Sequence, residues 1–141
     1  MPKPERPKLT TKVPALPPRA PDTHKGQAGH VAIIAGSRGM SGAAVLSGLG
    51  ALRGGAGLVR GYCPVSIQPI VAASEPCLMT VPLPEDADGR LALNSHAGQI
   101  DLDWPHVLAL GPGLGQNSTL PGLIQSLLAA HDVNSPPLVR I

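Results

Sequence analysis

The sequence predicts one α/β domain in which helices cover both faces of a mostly parallel sheet. Three observations carry that reading. Short apolar runs alternate with helical segments, as they do where crossover helices join parallel strands. The runs are continuously aliphatic, the mark of strands buried on both faces. Two of them end in glycine-rich turns that open helices. A chain of 141 residues has room for one domain and little more.

Residues 1–24 come first and look unlike the rest. Proline is dense there, and it removes backbone donors and biases its predecessor away from helix, so a disordered basic leader is expected. The pattern changes at Lys25, where a domain over 25–141 begins. His30–Ala35 is bounded by Gly29 and Gly36 and reads as a buried strand. A flexible turn over 36–42 leads into a small-residue helix, Ala43–Arg53. Gly48 and Gly50 cost that helix about 1 kcal/mol each relative to alanine, which is tolerable where the backbone lies close to a sheet or ligand. Leu58–Cys63 is a second strand, stopped by Pro64, and Ser66–Ala73 a short helix. Leu78–Val81 is a third strand, followed by an acidic surface turn over Pro84–Gly89, and residues 94–103 remain unassigned. His106–Leu110 is a fourth strand and runs into Gly111–Gly115. Leu120–Ala130 is an amphipathic helix, with Ser118 or Thr119 as the expected cap and Pro121 in its first turn. Leu138–Ile141 is a fifth strand.

Composition excludes several functions. Phe is absent, and Trp104 and Tyr62 are the only aromatics, so the stacking platforms of RNA and single-strand binders are missing. The net charge of +2 is uneven. Residues 1–25 carry six Lys/Arg against two acids, whereas 26–141 carry five against seven, so the basic excess belongs to the tail and no nucleic-acid surface is expected. Cys63 and Cys77 lack metal-site spacing and are expected as reduced thiols in or near the core. No apolar run approaches the roughly 18 residues that span a bilayer, and no secretory signal is visible. A cytoplasmic protein is the expectation.

The glycine loops are where a ligand is expected. In open parallel sheets ligands collect at the carboxyl ends of strands. A helix N-terminus there offers unpaired N–H groups and the positive end of its dipole, and glycine lets a phosphate approach the backbone. Gly36–Ala43 and Gly111–Gly115 both qualify. The first reads G-x-x-G-x-x-G and matches no phosphate fingerprint. Each loop alone is equally explained by a tight strand-to-helix turn, while two in one small sheet favour a shared cleft. Side-chain chemistry is sparse. The five histidines sit at unrelated spacings with no acidic or thiol partners arranged for a metal. Asp101 with Asp103, and Glu85 with Asp86 and Asp88, read as solvated turns. Ser37 and Ser41 are hydrogen-bond donors without a nearby base. The residues themselves indicate a binding cleft and no catalytic group.

Three segments carry a family resemblance: Lys25-Gly26-Gln27-Ala28-Gly29-His30-Val31, Ala35-Gly36-Ser37-Arg38-Gly39-Met40-Ser41-Gly42-Ala43-Ala44 and Ala51-Leu52-Arg53-Gly54-Gly55-Ala56-Gly57-Leu58-Val59. Together they resemble the opening of the ADP-dependent NAD(P)H-hydrate dehydratases, ribokinase-like proteins once labelled carbohydrate kinases. Ala109-Leu110-Gly111-Pro112-Gly113-Leu114-Gly115 is similar to their second hallmark, and Glu75-Pro76-Cys77-Leu78-Met79-Thr80 fits between. The resemblance runs from about Lys25 to Val139. It implies a hydro-lyase of nicotinamide-nucleotide repair that uses ADP, or ATP in eukaryotic relatives, with Mg2+. It places Ala43 and Gly113 against the NAD(P)H hydrate, with Gly36, Ser37, Ser41, Gly42 and Gly111 shaping the same wall. The implied partners are the hydrate and an adenine nucleotide, with neither nucleic acid nor membrane, and a homo-oligomer stays open.

The family continues from this fifth strand into an aspartate-alanine-aspartate segment. A threonine-proline-histidine loop, a lysine-containing adenylate segment and a G-[ST]-G-D anion hole with the catalytic aspartate follow. These motifs are missing from the 141 residues, and Arg140 stands where an apolar residue is expected. The expectation is therefore a C-terminally truncated, ribokinase-like domain with no catalytic residue and no metal ligand of its own, inactive alone. Two other readings stand beside it. One is a fragment of a ribokinase-like small-molecule kinase. The other is a non-catalytic half-domain that binds nucleotide or associates with another subunit.

Overall fold

A computed structural model describes Ala15 and residues 18–92, 99–130 and 138–140. Most of the expected leader, part of the unassigned 94–103 segment and Ile141 lie outside these residues. One 3-10 turn at Lys25–Gln27 leads into β1 (His30–Ile34), α1 (Ser41–Arg53), β2 (Leu58–Pro64), α2 (Gln68–Ser74) and β3 (Leu78–Leu83). Then come β4 (Val107–Leu110), α3 (Leu120–Ala130) and β5 (Leu138–Arg140). Every strand pairing is parallel, in the order β3-β2-β1-β4-β5. The chain thus builds outward from β1 in one direction, then returns to lay β4 and β5 on the other side.

The aliphatic runs become the middle layer of three. Ala32, Ile34, Tyr62, Leu108 and Leu110 pack on one face, with Leu123 and Leu127 of α3 and with Leu83, Leu91 and Leu114. Ile33, Val59 and Cys63 pack on the other, with Ala44 of α1 and with Ile67 and Val71 around α2. Successive strand residues point to opposite faces, so both faces must be apolar, and this is why the runs do not alternate. The tight fit of α1 depends on Gly48, where a Cβ would come 2.7 Å from Leu78 Cδ2 of β3. Gly50 faces open space and has no such role.

Several expectations need correction. α1 begins at Ser41, because the Ala43 N–H already reaches the Met40 carbonyl, 3.1 Å away. Pro64 ends β2 from inside the strand rather than stopping it, and β3 runs on through Pro82 to Leu83. Both prolines are tolerated, one at a strand end and one on an edge strand, where no ladder N–H is required. The acceptor at the start of α3 is Asn117, not Ser118 or Thr119: its Oδ1 takes the Leu120 N–H at 2.9 Å and the Thr119 N–H at 3.2 Å. Cys63 is buried as expected, but Cys77 is exposed in the turn before β3, and both are free thiols. Among the described residues no helix is long and apolar enough to cross a membrane.

Candidate functional site

Strand order reverses between β1 and β4, and both glycine loops leave the carboxyl ends of those two strands. This is the switch point where open α/β sheets take ligands. The loops are tied together directly. The Gly36 N–H donates to the Pro112 carbonyl at 2.8 Å, and the Gly111 N–H to the Ile34 carbonyl at 3.2 Å. Ser37 Oγ donates to the Gly113 carbonyl at 2.7 Å. Gly113 has φ +67°, and a Cβ there would stand 2.6 Å from the Ala43 Cβ and 3.2 Å from the Met40 carbonyl oxygen. A side chain at 113 would wedge the loops apart.

The predicted residues therefore meet, in two distinct ways. Gly36 and Ser37 are buried, and the Ser37 hydroxyl is spent on the second loop, so these two hold the wall from behind. Gly42 is exposed, and Ser41, Ala43, Gly111 and Gly113 are partly exposed, so these five form the accessible surface. Met40 makes no side-chain capping bond to α1, and α1 has no acidic residue in its first turn. The first-turn N–H groups thus lack a side-chain partner beside Gly113, an arrangement suited to an anionic or hydroxyl-bearing ligand.

Volume alone points elsewhere. The larger hollow, about 700 Å³, lies at the amino ends of β1 and β4 among Arg19, Gln27, His30, Gly55 and His106. Arg19 bonds the Gly55 carbonyl there. A second, of about 450 Å³, lies beside the start of α3 at Leu120, Pro121 and Ile124. The amino-end hollow is lined by Gly29, Gly54 and Gly55 and the C-terminal end of α1 rather than by a helix N-terminus, so size is the weaker guide. Near it, the His30 ring stacks on Trp104 at 4.7 Å and lies 4.9 Å from the His106 ring. The Arg60 guanidinium covers Trp104 at 4.0 Å and pairs with Asp101 at 3.2 Å. Asp101 and Asp103 sit in the solvated turn expected of them: Asp101 Oδ1 accepts the N–H groups of Asp103 and Trp104. Among the described residues no three His, Cys, Asp or Glu side chains converge to hold a metal.

One part of the site escaped the sequence. The acidic turn is a small hairpin, bridged at Glu85 and Leu91, and it reaches both glycine loops. Arg38 of the first loop bonds the Ala87 carbonyl at 2.9 Å and Glu85 at 3.4 Å. Asn117, just past the second loop, bonds Asp86 at 2.9 Å. The six-residue run Pro84–Gly89 signalled a turn, but nothing in its spacing signalled where its carboxylates would go.

A parallel three-layer domain with paired glycine loops at its switch point is an open α/β fold of the ribokinase-like kind, as its solved likenesses show. The chain belongs to the NAD(P)H-hydrate dehydratase family, whose model matches residues 31–139. It is 38% identical over 114 residues to a bifunctional NAD(P)H-hydrate repair enzyme of Moorella thermoacetica, covering 80% of this chain and 22% of that protein. It is 32% identical over 124 residues to an ATP-dependent (S)-NAD(P)H-hydrate dehydratase of Pongo abelii, covering 88% and 36%. An ADP/ATP-dependent NAD(P)H-hydrate dehydratase of Bacillus subtilis, crystallised with ATP and Mg2+, superposes with a TM-score of 0.68 at 29% identity, over 89% of this chain and 41% of that one. A ribokinase-like superfamily protein of Enterococcus faecalis superposes with a TM-score of 0.66 at 27% identity, over 82% and 37%. The chain thus spans well under half the length of the relatives it matches.

Proposed function

We propose that this chain contributes the substrate wall of an enzyme that dehydrates NAD(P)H hydrate at the expense of an adenine nucleotide. The observation that carries the reading is the direct seating of one glycine loop on the other, Ser37 on Gly113 and Ala43 against Gly113, at the switch point. Ala43, Gly113, Ser41, Gly42 and Gly111 would face the hydrate, while Gly36 and Ser37 fix the spacing between loops. A wall of backbone N–H groups and small side chains suits a dinucleotide, which presents phosphates and hydroxyls rather than apolar bulk. ATP is the nucleotide named for the Pongo relative, ADP or ATP for the Bacillus one. ADP dependence, the narrower expectation, is left to the assay. Transfer of a terminal phosphoryl group to the hydrate hydroxyl makes it a leaving group, and elimination restores the dihydronicotinamide. In this reading the acid–base chemistry of that step is not assigned to the two glycine loops. Their contribution is to bind and orient.

The test is direct. The 141-residue chain is incubated with hydrated NADPH, Mg2+ and either ATP or ADP, and absorbance at 340 nm is followed. Orienting groups without an acid, base or anion hole forfeit orders of magnitude in rate. The expected result is binding of NADPH without turnover. Turnover above background refutes the division of labour, and absence of NADPH binding refutes the wall.

A further inference from the structure

We propose that the hairpin Pro84–Leu91 is a clasp that sets the two glycine loops in register, with Glu85 and Asp86 as positioning residues. Its effect on ligand rests on the substrate wall proposed above; its mechanical coupling of the loops does not.

A solvated acidic turn satisfies its carboxylates with water and its own backbone. Glu85 does neither. Its side chain is only 15% exposed, and both oxygens leave the hairpin: Oε1 to Arg38 of the first loop at 3.4 Å, Oε2 to the Ser66 N–H after β2 at 3.0 Å. Asp86 divides its oxygens. Oδ1 closes the hairpin by accepting the N–H groups of Asp88 and Arg90 at 3.0 and 2.9 Å. Oδ2 is turned outward and accepts from Asn117 Nδ2 at 2.9 Å. Asn117 also donates to the Leu91 carbonyl at 2.8 Å while its Oδ1 caps α3, so one side chain joins hairpin, second loop and helix. The first loop is gripped by its backbone as well, since the Arg38 N–H donates to the Gly89 carbonyl at 2.9 Å. Leu91, 2% exposed, anchors the hairpin in the core on the α3 side. Three loops, after β1, β2 and β4, thus converge on these eight residues.

Asp86→Asn is the variant that separates clasp from turn. Its remaining oxygen still closes the hairpin, but its amide would face the amide of Asn117, two donors together. Adding Asn117→Asp restores a donor–acceptor pair in reverse at that contact, while giving up the Asn117 bond to the Leu91 carbonyl. Two readouts are taken on the whole chain: amide hydrogen exchange resolved by segment, and NADPH affinity followed by the coenzyme's fluorescence. With the loss of a charge-assisted bond, exchange over 36–43 and 111–115 should quicken about tenfold and NADPH should bind about tenfold more weakly, with the double variant recovering part of both. Faster exchange confined to 84–91 overturns the clasp. Faster exchange in both loops with unchanged NADPH affinity overturns the positioning role. If the parent chain binds no NADPH, the substrate-wall reading fails, and exchange in both loops alone upholds or overturns the coupling.

Discussion

The two ends of β1 and β4 are built from opposite materials. At the amino end stand side chains that look like chemistry: His30 and His106 beside Trp104, with Arg60 over the indole and paired to Asp101. At the carboxyl end stand glycines, alanine and serine, joined by backbone bonds. The larger hollow is at the first end and the two glycine loops at the second. The lesson is that reactive-looking side chains can be occupied with packing. His106 Nδ1 accepts the His30 backbone N–H at 3.0 Å, and His30 Nδ1 meets the Trp104 carbonyl at 3.2 Å. Where a substrate brings its own phosphates and hydroxyls, the better site is oriented backbone with little in front of it.

Substitution at each end breaks or sharpens this contrast. The largest effect is expected at Gly113. Gly113→Val forces a β-branched residue to φ +67° and places its Cβ 2.6 Å from that of Ala43. Left-handed strain and overpacking together should cost about 3 kcal/mol by urea titration, with NADPH binding abolished. Next is Trp104→Ala, which removes the stack on His30 and the cation–π contact with Arg60. A loss of about 2 kcal/mol is expected, with NADPH affinity unchanged. If Trp104→Ala abolishes binding and Gly113→Val does not, the two ends have been assigned the wrong way round.

A smaller effect separates the ends by pH. Hydrogen bonds from the Arg90 backbone and the Asn117 side chain hold the Asp86 carboxyl below its ordinary value. For Glu85 desolvation pushes upward, but the Ser66 N–H and Arg38 outweigh it and the net direction is also down. Groups depressed by folding stabilise above their unfolded pKa, about 4, and lose that contribution as pH falls through the folded value. Acidification from pH 5 to below 4 should therefore loosen the glycine loops in hydrogen exchange, and Asp86→Asn should weaken that response. The smallest prediction concerns thiols. Burial pushes Cys63 up to about 11, whereas Cys77 is exposed. A disulfide reagent at pH 8 should titrate one thiol in the native chain and two in guanidinium.

Much of the fold was legible because it rests on local signals. Five strands and three helices were expected and are present, since aliphatic runs bounded by Gly or Pro leave few alternatives. Boundaries shifted by one or two residues, at Pro64 and Pro82 because a strand end and a sheet edge tolerate proline. The pairing of the glycine loops was readable only as an inference from finding two such turns in one small sheet. The occupation of Ser37 by Gly113 was not readable, because it joins positions 76 residues apart. The same holds for Glu85 on Arg38 and Asp86 on Asn117. Charge and turn propensity described the hairpin correctly and still missed its partners.

By itself, then, the sequence determined a parallel α/β domain, an aliphatic core, two glycine loops after strands and the family to which they belong. Those follow from periodicity, propensity and contiguous motif, all properties of neighbouring residues. Tertiary structure decided which glycine-loop residues face outward and which brace the wall, and that an acidic turn grips both loops. These depend on strand order, which brings residues distant in sequence within hydrogen-bond reach.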